Sequence, residues 1–266
     1  MADNQRSIDK IIQQINITTL NEMQQNMLQT IKKHANVVLL SPTGSGKTLG
    51  FLLPLIDLLD KNESKVQVMV LAPSRELALQ IDQVFKSLST GFKVSCCYGG
   101  HDMQIEKNNL LQPPAVLIGT PGRIIDHINR GHIDTKAIKT LVLDEYDKCL
   151  EFGFTDVISS IIKAMPKISR RILTSATPAV QIHDFIGLEN PVRLNYLTAD
   201  APENLKVRIV NTLVDNRLDT LFRLVCKIGN QPTLIFCNQR DTVDQISNLL
   251  WEKNLPNNVF HGGLDQ

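Results

Sequence analysis

The chain has 266 residues and carries 28 Lys and Arg against 27 Asp and Glu, a formal net charge of +1. Its composition, 42% hydrophobic and 21% charged, is that of an ordinary globular protein, and no apolar run nears the ~18 residues that a membrane helix requires. These values exclude a spanning segment and a global field pulling the protein onto nucleic acid or an anionic membrane, so any polyanion site must be local. The length suits one large domain or two modest ones. The opening residues, Met1-Ala2-Asp3-Asn4-Gln5, have neither the basic nor the apolar region of a signal peptide, which predicts a cytoplasmic protein. Cys96, Cys97, Cys149, Cys226 and Cys237 show no paired metal-ligand spacing, and the six histidines form no H-x-x-x-H pair; a zinc site is not expected.

Residues 7 to 34 place Ile8, Ile11, Ile12 and Ile15, then Leu20, Met23, Met27, Leu28 and Ile31, near helical spacing with a break around Asn16 to Thr19. Two helices are expected there, the second capped by Thr19 with Glu22 three positions on, as in a capping box. Gln24 lies on that second helix and by itself reads as a solvated polar residue. The apolar run Asn36 to Leu40 predicts a strand. It passes through Ser41-Pro42-Thr43-Gly44-Ser45-Gly46-Lys47-Thr48 into a helix over Leu49 to Leu59, which Pro54 should kink or pin.

A Gly-rich turn between strand and helix can aim successive backbone N–H groups at a polyphosphate held on the helix N-terminus. Lys47 would add a point charge for the terminal phosphates, and the Thr48 hydroxyl suits Mg²⁺. Ser41 stands where the pattern G-x-x-x-x-G-K-[ST] has its first glycine, so the loop alone leaves an ordinary strand-turn-helix corner open.

The strand-turn-helix rhythm then repeats. Val66 to Leu71 is a continuous apolar run followed by Pro73-Ser74 and a helical stripe from Arg75 to Leu88. Val94 to Cys97 leads to Gly99-Gly100, Ala115 to Ile118 to Gly119-Thr120-Pro121-Gly122-Arg123, Leu141 to Leu143 to Asp144, and Arg171 to Leu173 to Thr174-Ser175-Ala176-Thr177. This alternation predicts an α/β fold with a doubly wound parallel sheet, whose functional loops sit at the carboxyl ends of the strands. Asp144, first out of its strand, can hold Mg²⁺ together with Thr48, while Glu145 is free to orient or deprotonate a water. Acids favoured at a helix N-terminus are the alternative explanation of Asp144-Glu145-Tyr146-Asp147 taken alone.

Loop, acidic quartet and Ser175-Ala176-Thr177, in this order and context, resemble the DEAD-box ATP-dependent RNA helicases of superfamily 2 over nearly the whole chain. The resemblance implies a RecA-like first lobe that uses ATP and Mg²⁺. Pro73-Ser74-Arg75-Glu76-Leu77-Ala78, Gly99-Gly100 and Thr120-Pro121-Gly122-Arg123 are similar to the family's loops that hold single-stranded RNA by its backbone, without reading sequence. Salt-bridged or capping roles for Arg75 and Arg123 are the alternative. Gln24, 17 residues before Ser41, resembles the adenine-reading glutamine of the Q motif, although Leu20-Asn21 and Asn16-Ile17 replace the usual Pro-Thr and Gly-Phe. Ser175 and Thr177 resemble the hydroxyls that couple nucleotide state to RNA grip, with hydrogen bonds to Asp147 expected. Tyr146 replaces the family's alanine, and its side chain is expected to point away from the metal.

Thr198-Ala199-Asp200-Ala201-Pro202-Glu203-Asn204 lacks apolar periodicity and reads as a linker. The division expected is a first lobe over residues 1–198, a linker over 199–206 and the start of a second lobe over 207–266. In the last, strands are expected at Val207 to Val214, Thr233 to Phe236 and Val259-Phe260, and helices at Leu218 to Ile228 and Val243 to Trp251. Leu234-Ile235-Phe236-Cys237-Asn238 resembles motif IV and His261-Gly262-Gly263-Leu264-Asp265-Gln266 the start of the next motif, whereas the arginines of motif VI have no counterpart; the chain therefore reads as a fragment of impaired activity. An ATP-gated RNA clamp and a phosphate-loop ATPase acting on protein are the two rival functions.

Overall fold

The computed structural model describes residues 11–13, 15, 17–178, 182–197, 206–212 and 217–263. The chain divides into two compact units, Met1–Ala199 and Asp200–Gln266. The segment predicted as a linker falls almost wholly outside the described residues.

In the first unit, seven parallel strands form one sheet: β1 (Asn36–Leu40), β2 (Val68–Leu71), β3 (Val94–Cys97), β4 (Val116–Gly119), β5 (Thr140–Leu143), β6 (Arg170–Ser175) and β7 (Val192–Asn195), in the spatial order β3-β4-β2-β5-β6-β1-β7. β2, β4 and β5 are buried along their whole length, as strands covered on both faces must be. Two apolar clusters fill the layers on either side, one including Met27, Phe51, Ile81 and Phe85, the other Leu40, Leu143, Ile158 and Ile186.

Of the first predicted helix, residues 11–13 are helical, while Ile8 lies outside the described residues. The next, α1 (Glu22–Lys33), starts two residues later than its predicted cap requires: Asn21, not Thr19, is the N-cap, and Gln24 closes the capping box. Asn21 Oδ1 accepts the Gln24 N–H at 2.9 Å and Gln24 Oε1 accepts the Asn21 N–H at 3.0 Å, an arrangement that Asn supports as well as Thr. Gln24 is thus buried, not solvated. Helix α2 (Lys47–Ile56) contains Pro54 and ends two residues beyond it, short of the predicted Leu59. A Cβ on its Gly50 would lie 3.3 Å from Met23 Sδ, so the missing side chain is what lets α1 and α2 approach closely.

Helix α3 (Arg75–Ser87) is capped by Ser74, whose Oγ accepts the Leu77 N–H at 3.3 Å. Helix α4 (Met103–Leu110) is capped by Asp102. The predicted turn at Pro121-Gly122-Arg123 is the first turn of α5 (Pro121–Asn129), with proline where its missing N–H costs nothing. Helices α6 (Tyr146–Glu151) and α7 (Thr155–Lys163) follow β5.

The second unit departs from expectation. Its described residues contain helices α8 (Arg217–Ile228) and α9 (Arg240–Glu252) but no strand. Val207 to Thr212, Thr233 to Phe236 and Val259-Phe260 are irregular, and the last two residues of the first of these predicted strands, 213–214, lie outside the described residues. The physical reason is that a strand satisfies its N–H and C=O groups only through a neighbour, whereas a helix satisfies its own.

Candidate nucleotide site and RNA-facing edge

Because all seven strands are parallel, the loops singled out in the first unit's sequence emerge at one edge of the sheet. The strand order then sorts them. β1, β6 and β5, side by side, carry Ser41–Thr48, Ser175–Thr177 and Asp144–Asp147; β2, β4 and β3 carry Pro73–Arg75, Thr120–Arg123 and Gly99-Gly100. The loops expected to hold phosphates and those expected to contact RNA thus occupy two halves of the same edge.

In the first half, Gly44 and Gly46 have φ of 81° and 85°, the left-handed region that lets the loop curl. A Cβ on Gly46 would meet Gln24 Nε2 at 2.5 Å. Lys47 folds back into the loop, donating to the Ser41 and Pro42 carbonyls at 2.9 Å each. Ser41, in place of a glycine, is fully buried, and its Oγ meets Ser45 Oγ at 2.7 Å, tying the two sides of the loop. Gln24 Nε2 donates to the Gly46 carbonyl at 3.3 Å and Asn21 Nδ2 to the Ser45 carbonyl at 3.0 Å, so the α1 cap and the phosphate loop are one structure. Gln24 keeps one N–H and one carbonyl lone pair, the donor and acceptor that an adenine edge needs.

Gln24, Gly44, Gly46, Lys47, Thr48, Asp144 and Glu145 line a common cavity of about 510 Å³, whose apolar wall includes Ile17, Leu77 and Val84. Asp144 is 4% exposed. Burial pushes its carboxyl above the ordinary range, against the pull of the Thr174 hydrogen bond and the Lys47 charge. Glu145 is raised as well, by burial first and then by the Asp144 charge. It occupies a left-handed conformation, φ 46°, unusual for a non-glycine residue and of a kind that concentrates at functional sites. The residues fit Mg²⁺ and a triphosphate: a glycine cradle, a buried cation, a hydroxyl and a desolvated carboxylate open on one cavity.

Thr174, which the sequence showed only as part of a turn, is the contact between these parts. Its hydroxyl donates to Asp144 Oδ1 at 2.5 Å and accepts the Glu145 N–H at 3.0 Å. Tyr146 is fully buried within the cluster containing Leu143, Cys149 and Ile186, with burial pushing its hydroxyl up to about 12. The expected bonds from Ser175 and Thr177 to Asp147 are not made. Ser175 Oγ accepts the Thr177 N–H and donates to the Thr177 carbonyl, both at 3.0 Å, closing a local turn of the kind short hydroxyl side chains favour. Both Asp147 carboxylate oxygens are buried without a hydrogen-bond partner among the described residues.

On the other half, Arg75 lies over the Tyr98 ring at 5.1 Å, and Gly100, φ 83°, approaches its guanidinium. Gly99, Gly100 and Gly122 are exposed, Thr120 is half-buried, and Pro73 and Pro121 are buried. Arg123 is committed within the protein: its Nε donates to the Tyr98 carbonyl at 3.0 Å and lies 3.1 Å from Glu106 Oε2, and it also reaches the His101 carbonyl. Glu106, 1% exposed, is the hub beneath these loops. It accepts the Tyr98 N–H at 3.1 Å and meets His127 Nε2 at 2.7 Å and His101 Nδ1 at 3.1 Å. Burial works to raise its carboxyl, but the bonds from His127, Tyr98 and His101 and the Arg123 charge outweigh it and hold the group below its ordinary value. Cys97 joins Glu106 and His127 within ligand distance, yet burial pushes that thiol far up and Arg123 already supplies the cation, so the trio reads as a structural network. Sequence spacing gave no signal for it, since its members come from β3, α4 and α5.

A parallel sheet with a phosphate loop after β1 and paired acids after β5 defines a RecA-like nucleotide-binding α/β domain. The chain belongs to the DEAD/DEAH box helicase family, whose profile matches residues 21–185. It is 31% identical to the DEAD-box ATP-dependent RNA helicase RhpA of Helicobacter pylori over 98% of this chain and 54% of the relative. It is 33% identical to the ATP-dependent RNA helicase eIF4A of Botryotinia fuckeliana over 92% of this chain and 63% of that protein. A crystal structure of a DEAD box protein from Methanococcus jannaschii superposes with a TM-score of 0.60 at 29% identity, covering 91% of this chain and 67% of that one. The chain thus spans between about half and two thirds of the relatives it matches. Among the described residues no helix is long and apolar enough to cross a membrane.

Proposed function

We propose that this chain contributes the nucleotide-hydrolysing lobe of a cytoplasmic ATP-dependent RNA helicase, which grips RNA by its backbone and separates short duplexes or remodels RNA–protein complexes. The observation that carries the reading is the sorting of loops along one sheet edge, nucleotide-type on β1, β6 and β5 and backbone-tracking on β2, β4 and β3. In this reading residues 1–198 form the first lobe, 199–206 the linker and 207–266 the beginning of the second.

The loop Ser41–Thr48 wraps the phosphates with its N–H groups, Lys47 exchanging its carbonyl partners for phosphate oxygens, and Gln24 offers its remaining donor and acceptor to adenine. Thr48 and Asp144 would hold Mg²⁺, which would supply positive charge against the phosphate oxygens. Glu145, its carboxyl raised, accepts a proton from the attacking water. Asp147, Ser175 and Thr177 couple the halves of the edge: the unpartnered Asp147 carboxylate offers those hydroxyls an alternative to their local turn. Ser74, Arg75, Gly99, Gly100, Thr120 and Gly122 face the RNA backbone, with the buried Pro73 and Pro121 shaping their loops and N–H groups at the α3 and α5 N-termini suited to phosphates. Arg123 serves that surface by fastening the Gly99-Gly100 loop to α5.

The test is ATP hydrolysis by the complete gene product with and without RNA of several scrambled sequences. RNA should stimulate turnover whatever its sequence, more weakly as salt rises, and Glu145→Gln should lower turnover ~10²-fold or more while leaving Mg·ATP binding largely intact. Stimulation by protein but not RNA would favour an ATPase acting on protein; absence of multiple-turnover strand separation would favour an RNA clamp.

A further inference from the structure

We infer that Thr174 is a positioning residue of the nucleotide site, one hydroxyl fixing both the Asp144 carboxylate and the Glu145 main chain. The inference rests on the nucleotide reading of Asp144 and Glu145 given above. Its geometry follows from register. β6 lies between β5 and β1, and Leu143 pairs with Leu173, so Asp144 stands level with Thr174 where it leaves the sheet.

A hydroxyl has one proton to give and lone pairs to receive with. Thr174 gives its proton to Asp144 Oδ1 at 2.5 Å and receives the Glu145 N–H at 3.0 Å, at a site with no solvent exposure. A threonine in the buried run Ile172-Leu173-Thr174 would be unfavourable without partners, and these two are its partners. Each bond constrains a different element of the chemistry. The first turns the carboxylate, leaving the second oxygen for a cation; the second anchors the amide of a residue whose φ of 46° has to be held. Since both bonds meet at one oxygen, the metal-directed carboxylate and the water-directed carboxylate cannot shift independently.

The experiment compares the unaltered chain with Thr174→Val, which keeps the shape and removes the hydroxyl, and Thr174→Ser, which restores it. The first reading, taken without nucleotide, is hydrogen exchange at the Glu145 amide. The second is the Mg²⁺ concentration at half-saturation for binding a fluorescent ATP analogue. Loss of the neutral bond from the Glu145 N–H predicts roughly 2- to 10-fold faster exchange, and loss of the bond to the charged Asp144 a Mg²⁺ midpoint about 10-fold higher, in the Val variant. The Ser variant should return both toward the parent. Faster exchange with an unmoved Mg²⁺ midpoint would make Thr174 a structural residue and overturn the inference, as would Ser and Val variants that behave alike. Should Thr174→Val fail to fold, Thr174→Ala replaces it against the same Ser variant. An unaltered chain with no Mg²⁺-dependent nucleotide binding would overturn the nucleotide reading and the positioning role with it, and the exchange arm would still show whether the bond from the Glu145 N–H to Thr174 exists.

Discussion

Thr140-Leu141-Val142-Leu143 and Thr233-Leu234-Ile235-Phe236 are nearly the same sequence, each an apolar run after a polar stretch, and they meet opposite fates. The first is β5, in mid-sheet, with Leu141 at 0% exposure. The second is irregular, with Leu234 84% and Phe236 90% exposed. The contrast separates what a strand pattern encodes from what a strand needs. Alternation and β-branching say that a segment will accept a pleated, covered surface; they do not supply the neighbours. β5 has β2 and β6 on its two sides, held by helices packed on both faces. Helices α8 and α9 form in the second unit because their hydrogen bonds are internal, so local signals sufficed there and failed for the strands around them.

The sharpest way to break this comparison is Leu141→Ala. A fully buried leucine in the middle of a close-packed sheet should cost about 2–5 kcal/mol, the spread reflecting how far the site can collapse. Urea unfolding followed by circular dichroism measures it, and a loss under 1 kcal/mol would mean that the β5 environment is not the packed core described.

The same distinction explains what could be read in advance. Strands β1 to β6, the phosphate loop and the acidic pair were legible because each depends on a few consecutive residues: a short apolar run, glycines ahead of Lys47, carboxylates after a strand; the half-exposed β7 was not. The order β3-β4-β2-β5-β6-β1-β7 was not, since crossovers are set by packing between distant elements, and that order is what parts the two halves of the edge. Asn21 displaced Thr19 as the cap because Asn serves equally well and the phosphate loop offers its side chain a second partner, the Ser45 carbonyl. Thr174 and Glu106 escaped for the same reason, as residues whose roles exist only across strands. Arg123 was legible as an important arginine, but its partner was not.

The Glu106 hub offers a test intermediate in size. Glu106→Gln keeps the shape but presents an amide N–H₂ to donors already crowding that side, and about 1–3 kcal/mol should be lost near neutral pH. The sign of its pH dependence follows from the lowered carboxyl. The unfolded chain takes up the proton near the ordinary value of 4.5, while the folded protein resists until lower pH. The stability contributed by Glu106 is therefore fully present above about pH 4.5 and lost as pH falls through the folded value, so the gap between parent and variant should narrow there. Denaturant melts at pH 7 and pH 4 measure it; a gap that widens on acidification would contradict the assignment.

The smallest effect is expected at the counterpart of Leu141. Leu234→Ala removes the same atoms from a run of nearly the same sequence, but those atoms already face solvent, and surface substitutions away from special features change stability by about 0.5 kcal/mol or less. Since little of the Leu234 side chain leaves water when the unit forms, its truncation carries almost no transfer penalty and opens no cavity. The backbone carries the independent half of the argument. Amides at 140–143 are tied into the sheet ladder and should exchange only on global unfolding, whereas those at 233–236, outside any ladder, should exchange at rates near those of an open chain. Hydrogen exchange and a denaturant melt of the 266-residue chain read both at once. Protection across 233–236 together with a cost of 2 kcal/mol or more for Leu234→Ala would show the second run to be a paired strand, and the contrast between the two units would fall.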